Sequence, residues 1–309
     1  IGVKANLGRV GAASAYDSAL QSLANIQHNK FCKGSNLLVL GKLNVEELLE
    51  KAQNLDANNK EHRKELFKLV EQLDIEVSHI VHQICNAGKI PIICGGDRSI
   101  SIPAAKALSD HLGVSKKMGY IHLGAHLDMA DSWSGESHVS TCTMARITEL
   151  ENLSMDNVSH MGARNSFNPK DHIDLAKDRG MKFFPMFEML DRGIDEVTKE
   201  AVARGWDDTD GQYLSFNFNV LDSSAAPGVT ATESGGLESR EIMRVASQIS
   251  DRGKISVIDV TELCPMFDVS GSTSRTAVCV ILRILAGIAA TNGQTLDESL
   301  RRPGWKYKK

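Results

Sequence analysis

The stretch "QYLSFNFNVLD" (Gln212–Asp222) decides how this chain is read. From Ser215 it alternates as a strand does, with Ser215, Asn217 and Asn219 on one face and Phe216, Phe218 and Val220 on the other. Two amides therefore point the same way near the end of an apolar strand, shortly before the Pro227-Gly228 turn. Carboxylates at such a place would read as metal ligands, so the amides need an explanation.

Outward from that strand, apolar strands alternate with amphipathic helices. Leu66, Val70, Leu73, Val77, Ile80, Val81 and Ile84 repeat at helical spacing, which predicts one long helix over roughly Asn59 to Asn86, stopped by Gly88. "KIPIICGG", "MGYIHLGAHLD" and "ISVIDVTEL" read as further strands, and "SIPAAKALSDHLG", "LESREIMRVASQIS" and "SRTAVCVILRILAGIAA" as helices. Near-continuous apolar strands between helices predict an α/β protein of three layers, α/β/α, with a mostly parallel sheet. No repeat, low-complexity tract or long linker divides the chain, so a single domain over residues 1–309 is expected.

Composition narrows the class. With 309 residues, 24% charged residues and a formal net charge of −4, the chain has no overall nucleic-acid footprint. The one basic cluster, "RRPGWKYKK" at the C-terminal end, reads as a solvated or subunit-contacting tail. No run is long and apolar enough to suggest a membrane span and no signal peptide opens the chain. Cys32, Cys85, Cys94, Cys142, Cys264 and Cys279 lack paired spacing, so free thiols and a cytoplasmic location are expected. In "SGGLESRE" no Lys follows the glycines as a phosphate loop needs; Ser239 and Glu241 instead mark a helix start.

In an open parallel sheet, sites form at the carboxyl ends of strands. Four such ends carry unusual polar residues: "GGDRSIS" (Gly95–Ser101), "HLGAHLDMADS" (His122–Ser132), "SFNFNVLDSSAAPG" (Ser215–Gly228) and "DVTELCPMFD" (Asp259–Asp268). Between the second and third lies "SGESHVSTCT", with His138 in a loop. In this order and spacing the segments resemble the ureohydrolase family of arginases, agmatinases and guanidine hydrolases. Members of that family usually show GGDHS, DAHxD, a loop ending in HG, SxDxDxxDPxxxPGTGTPxxGGL and DxxExxP. The resemblance runs from "GRVGAASAYDSAL" to "STSRTAVCVILRILAG", most of the chain, and "WDDTDGQYLSFNFNVLD" and "ARNSFNP" are more similar to the guanidine and biguanide branch than to the arginase branch.

The resemblance implies two divalent metals, usually manganese and sometimes nickel, held by two histidines and four aspartates. Here the first His is Arg98, the first Asp of DAHxD is Gly124, and both aspartates of SxDxD are Asn217 and Asn219, while His126 and Asp128 remain. Asn is a weak neutral ligand, Gly has no side chain, and Arg adds a cation where an ion would sit. At roughly 4 Å and an effective dielectric near 20 that repulsion costs several kcal/mol. Arg98 is accordingly expected to fill the metal space as a built-in cation paired with Asp128. His126 and Asp128 are expected to form a buried His–Asp pair. The alternative is a surviving mononuclear site on these two; His122 could complete it as a third ligand, but it lies further back from the strand end and reads rather as a satisfied core histidine.

By the same resemblance Glu262 corresponds to the carboxylate that meets the substrate guanidinium, and His138 to the mobile loop histidine. Glu262 reads either as a ligand carboxylate or as a partner of Arg98, and His138 as a solvent-facing loop residue. The glycine after that histidine is Val139, and the mouth turn reads "PGVTAT" (Pro227–Thr232). Asn165 and Ser166 read as pocket rim or as structural turn residues. The resemblance implies a catalytically degenerate subunit that binds no metal itself and supports a metal-bearing paralogue, with nickel or manganese in that partner, in a trimeric or hexameric assembly. The alternatives are an active amidinohydrolase with an atypical mononuclear site, or a non-catalytic protein that binds guanidino ligands.

Overall fold

The computed structural model describes residues 1–26, 37–165 and 167–293. Cys32, Ser166 and the basic tail lie outside the described residues. Six parallel strands form one sheet: β1 Ile92–Cys94, β2 Met118–Leu123, β3 Val158–Ala163, β4 Lys182–Pro185, β5 Gly211–Asn217 and β6 Val257–Thr261, in the order β1-β6-β5-β2-β3-β4. The helices are α1 Gly2–Ala5, α2 Ala15–Ala24, α3 Glu46–Gln53, α4 Lys60–Asn86, α5 Ser101–Leu112 and α6 Thr143–Ile147. After them come α7 Lys170–Asp178, α8 Met186–Arg192, α9 Ile194–Trp206, α10 Ser239–Ser250 and α11 Ser272–Thr291.

Two apolar cores, one on each face, make this the expected three-layer α/β/α architecture. On one face Tyr120 and Tyr213 pack with Val77 and Val81 of α4, Leu108 of α5, Met144 of α6 and Ala176 of α7. On the other, Ile121, Leu214 and Ile258 meet Val197 and Ala201 of α9, Val245 and Ile249 of α10, and Val280 and Ile284 of α11. Strands covered on both sides have few positions left for polar residues, which is why they read as nearly continuous apolar runs.

Helix α4 spans the predicted range. The Asn59 side chain accepts from the amides of Glu61 and His62 at its start, and Gly88 leaves at φ +66° after its end, a conformation that suits a residue without Cβ. Helix α10 begins on a capping box in which the Glu241 carboxylate accepts from the Glu238 amide at 2.8 Å, so the cap is Glu238 and Ser239 is the first helical residue.

Two expectations change. Strand β5 stops at Asn217, and Phe218–Val220 form a single 3-10 turn, so the strand alternation does not carry through to Asn219. The segment Val269–Thr291 is also long and apolar enough to cross a membrane by length and composition. Its buried residues belong to the core beside α10 and α2, where the sheet layer demands the same apolar character. The five cysteines among the described residues are free thiols, and burial pushes those of Cys94 and Cys142 up to about 12.

Candidate functional site

All the residues singled out at strand ends gather above the carboxyl edge of the sheet. Arg98 follows β1, Gly124 to Asp128 follow β2, Asn165 follows β3, Asn217 ends β5 and Glu262 follows β6. Three of them, Asp128 (φ +51°), Asn165 (φ +60°) and Glu262 (φ +68°), hold left-handed backbone that non-glycine residues seldom adopt. Such strain persists only where surrounding structure enforces it.

Below the site a polar row crosses the sheet on one face. Register places His160, His122, Ser215 and Asp259 side by side on β3, β2, β5 and β6. One row deeper, Tyr120 and Tyr213 stack at 4.9 Å. The guanidinium of Arg98, with no exposed surface, lies over these two rows. Its Nη1 donates to Ser101 Oγ (2.9 Å), Ser215 Oγ (2.8 Å) and Tyr120 OH (3.2 Å). Asp259 accepts from Ser101, Ser215 and Tyr213 at 2.8, 2.7 and 2.7 Å. Arg98 Nε stands 3.4 Å from Asp128 Oδ2, within ion-pair range but not aligned as a hydrogen bond. The expected Arg98–Asp128 pairing is therefore present. The serine, tyrosine and Asp259 partners were not singled out from sequence as site residues, although Ser215 shares the alternating face with Asn217 and Asp259 opens the quoted "DVTEL".

Electrostatics follow from burial. Burial opposes the Arg98 charge, but Tyr120, Asp259 and Asp128 more than offset it and hold its pKa above the usual value. Burial pushes the Asp128 carboxyl up to about 7, against the pull of Arg98 and with help from Glu262. Burial likewise pushes Glu262 up to about 7, while Thr230, whose hydroxyl donates to Glu262 Oε2 at 2.7 Å, favours the charged form. Asp259 is also raised, chiefly by burial. Burial drives His122 well below the ordinary histidine value and His160 down to about 4, so both rings are neutral at pH 7.

His126 and Asp128 are not brought together as the expected His–Asp pair. Asp128 faces Arg98, whereas His126 lies 3.3 Å from Glu233 Oε1 through Nε2 and 3.3 Å from the Asn219 amide through Nδ1. His122 does not join them: its Nδ1 is 3.3 Å from Ser215 Oγ, and its ring packs edge-on against His160 at 4.8 Å, as a core histidine does. Its Nε2 occupies the space beside Gly124, where a Cβ would come within 2.4 Å of it. Asn217 accepts from the Asn219 amide N–H at 3.1 Å, and Asn219 Oδ1 accepts from Ala125 N at 2.9 Å. The Asn217 amide thus closes a local turn, and the Asn219 amide ties that turn to the loop after β2.

His138 is drawn away from the cluster. Its Nδ1 is 2.8 Å from Asp74 Oδ2 on α4 and its side chain is half exposed. Asn165 is a turn residue whose Nδ2 donates to Glu233 Oε2 (2.8 Å) and to the Ser234 carbonyl (2.9 Å). Glu233 and Arg164 were not found from sequence. Arg164 donates to six backbone carbonyls, those of Gly162, Asn219, Val220, Leu221, Glu233 and Ser234. It thereby fixes the loop that carries Asn219 and Glu233. The exposed Phe167 ring stands 5.8 Å from the His126 ring at the rim.

The residues present do not fit the two divalent cations that the resemblance implies. A buried guanidinium lies against Asp128, Gly124 offers no donor, the Asn217 side chain is taken up by the Asn219 backbone amide, and His126 is engaged with the Asn219 side chain and with Glu233. Among the described residues no group of three or more His, Cys, Asp or Glu is placed to hold a metal.

Comparison with known proteins agrees with the fold and the family resemblance. An arginase from Brevibacillus brevis is 30% identical over 234 residues, 72% of this chain and 76% of that protein. A formimidoylglutamase from Halalkalibacterium halodurans is 30% identical over 64% of this chain and 60% of its own length. The crystal structure of arginase from Bacillus cereus superposes with a TM-score of 0.72 at 23% identity, covering 90% of this chain and 94% of that one. The arginase family model matches residues 5–287, and the chain belongs to the arginase family of ureohydrolases.

Proposed function

We propose that this chain is a non-hydrolytic ureohydrolase subunit that supports or regulates a metal-bearing paralogue. The complex would be a hetero-oligomeric hydrolase of guanidino or biguanide compounds, most like a bacterial dimethylbiguanide (metformin) hydrolase, with nickel or manganese in the partner. The observation that carries the reading is the placement of Arg98, fully buried and 3.4 Å from Asp128 at a family metal-ligand position. A metal-bound hydroxide is the nucleophile that a two-metal hydrolase depends on, and a cation fixed at a ligand position opposes its formation. Retention of the family fold supports a role in assembly. A trimeric or hexameric assembly, and one ureohydrolase-like domain over residues 1–309, belong to the same proposal.

The test is purification of the chain alone and together with a paralogue that carries intact GGDHS, DAHxD and SxDxD. Alone, the chain is expected to hold substoichiometric manganese and nickel and to leave guanidine, agmatine, arginine and dimethylbiguanide intact. With the paralogue it is expected to co-purify in a complex that hydrolyses one of them. Stoichiometric metal and turnover by the chain alone would overturn the reading.

A further inference from the structure

Two buried carboxylates are tied to a single buried guanidinium: Asp128 Oδ2 stands 3.4 Å from Arg98 Nε, and Asp259 is bridged to Arg98 Nη1 through the hydroxyls of Ser101 and Ser215. A third buried carboxylate, Glu262, is held by the Thr230 hydroxyl. A buried carboxylate without a counter-charge is costly, and a cluster of them would normally need bound cations. One nitrogen, Nη1, donates to Ser101, Tyr120 and Ser215, and a second, Nε, faces Asp128 at 3.4 Å. A lysine ammonium could serve the three hydroxyls but has no second nitrogen to set against Asp128 at the same time.

We infer that Arg98 performs the charge-balancing work that a metal centre performs elsewhere in the family, so that this fold requires a guanidinium at one place and no divalent cation. The inference deepens the reading of the site as metal-free and concerns the chain by itself. The hydroxyls of Ser101, Tyr120 and Ser215 fit this arrangement, because they accept from a guanidinium and are poor ligands for a divalent ion.

The experiment is thermal melting of the purified chain. The wild-type chain is expected to melt at the same temperature after dialysis against chelator as with manganese or nickel added. Arg98→Met, which keeps length and removes charge, is expected to lower the melting temperature by about 5–15 °C. In Arg98→Ala, millimolar guanidinium chloride is expected to raise the melting temperature relative to sodium chloride of equal ionic strength, while manganese does not. If Arg98→Met does not accumulate, Arg98→Lys decides: keeping the charge, it is expected to accumulate and to melt below wild type.

A chelator-sensitive wild type rescued by manganese or nickel overturns the inference. So does an Arg98→Met chain that melts within a degree of wild type, or equal failure of the Met and Lys variants. Failure here leaves the subunit proposal standing if the chain still co-purifies with an active paralogue. Failure of that proposal leaves this inference standing if the chain alone remains insensitive to chelator.

Discussion

Arg98 and Asp259 are joined through two serine hydroxyls. Arg98 Nη1 donates to Ser101 Oγ and Ser215 Oγ, and each hydroxyl passes its own proton to a different oxygen of Asp259. The charges sit on opposite sides of a hydroxyl pair that ties the start of α5 to β5 and β6. Buried polar networks of this kind stabilise only while every member is satisfied.

Ser101→Ala and Ser215→Ala should therefore each destabilise the fold by about 1–3 kcal/mol, because each leaves a buried charge short of a partner. The double variant should cost less than the sum, since either deletion already breaks the bridge. Denaturant unfolding of the two single variants and the double variant checks this. Strict additivity would show that the serines act independently.

Stability should fall as pH rises from about 4.5 to about 7 because of Glu262. Its folded pKa lies above its ordinary value, so the native chain holds a proton in that window that the unfolded chain has released. Proton uptake on folding makes stability decrease with pH, and the loss is complete above the folded value. Glu262→Gln keeps an acceptor for Thr230 and carries no charge, so it should flatten this part of the profile and narrow the gap between pH 5 and pH 8. Unfolding curves at the two pH values measure it, and an unchanged slope would remove Glu262 from the account.

Restoring the family ligands should work only as a set. Arg98→His, Gly124→Asp, Asn217→Asp and Asn219→Asp together should recover manganese or nickel binding, measured by metal analysis after gel filtration. His122 must turn aside first, because its Nε2 lies 2.4 Å from the position of a Cβ at 124. Asn217→Asp or Asn219→Asp alone buries a charge with no ion to meet it, and each should cost about 1–3 kcal/mol. Absence of metal in the combined variant would mean that side-chain repacking has closed the cavity.

Arg164→Lys should be among the more damaging charge-conserving substitutions. An ammonium cannot reach six carbonyls arranged around a planar fork, so several buried acceptors lose their partner. A loss of about 2–4 kcal/mol is expected, with faster proteolysis within residues 219–236. A variant with wild-type stability and protease resistance would show that the loop holds without the clamp.

The sequence by itself determined the layers and the order of strand ends, and its family resemblance implied an exchange of ligand residues. Periodicity records which face of each element meets apolar neighbours, and motif spacing records which turns cap the strands. Motif resemblance together with charge placed Arg98 beside Asp128. The sequence could not separate His126 from Asp128, because a residue's partner depends on backbone that turns after β2, where Asp128 adopts positive φ. Nor could it assign Ser101, Tyr120, Tyr213 and Asp259 to one guanidinium, since they lie on different elements and meet only through sheet register. The amides of "SFNFNVLD" show the division. Sequence marked Asn217 and Asn219 as replaced carboxylates. Only the tertiary structure decided that β5 ends at the first, that the second belongs to a 3-10 turn, and that both amides serve hydrogen bonds where no ion has to be balanced.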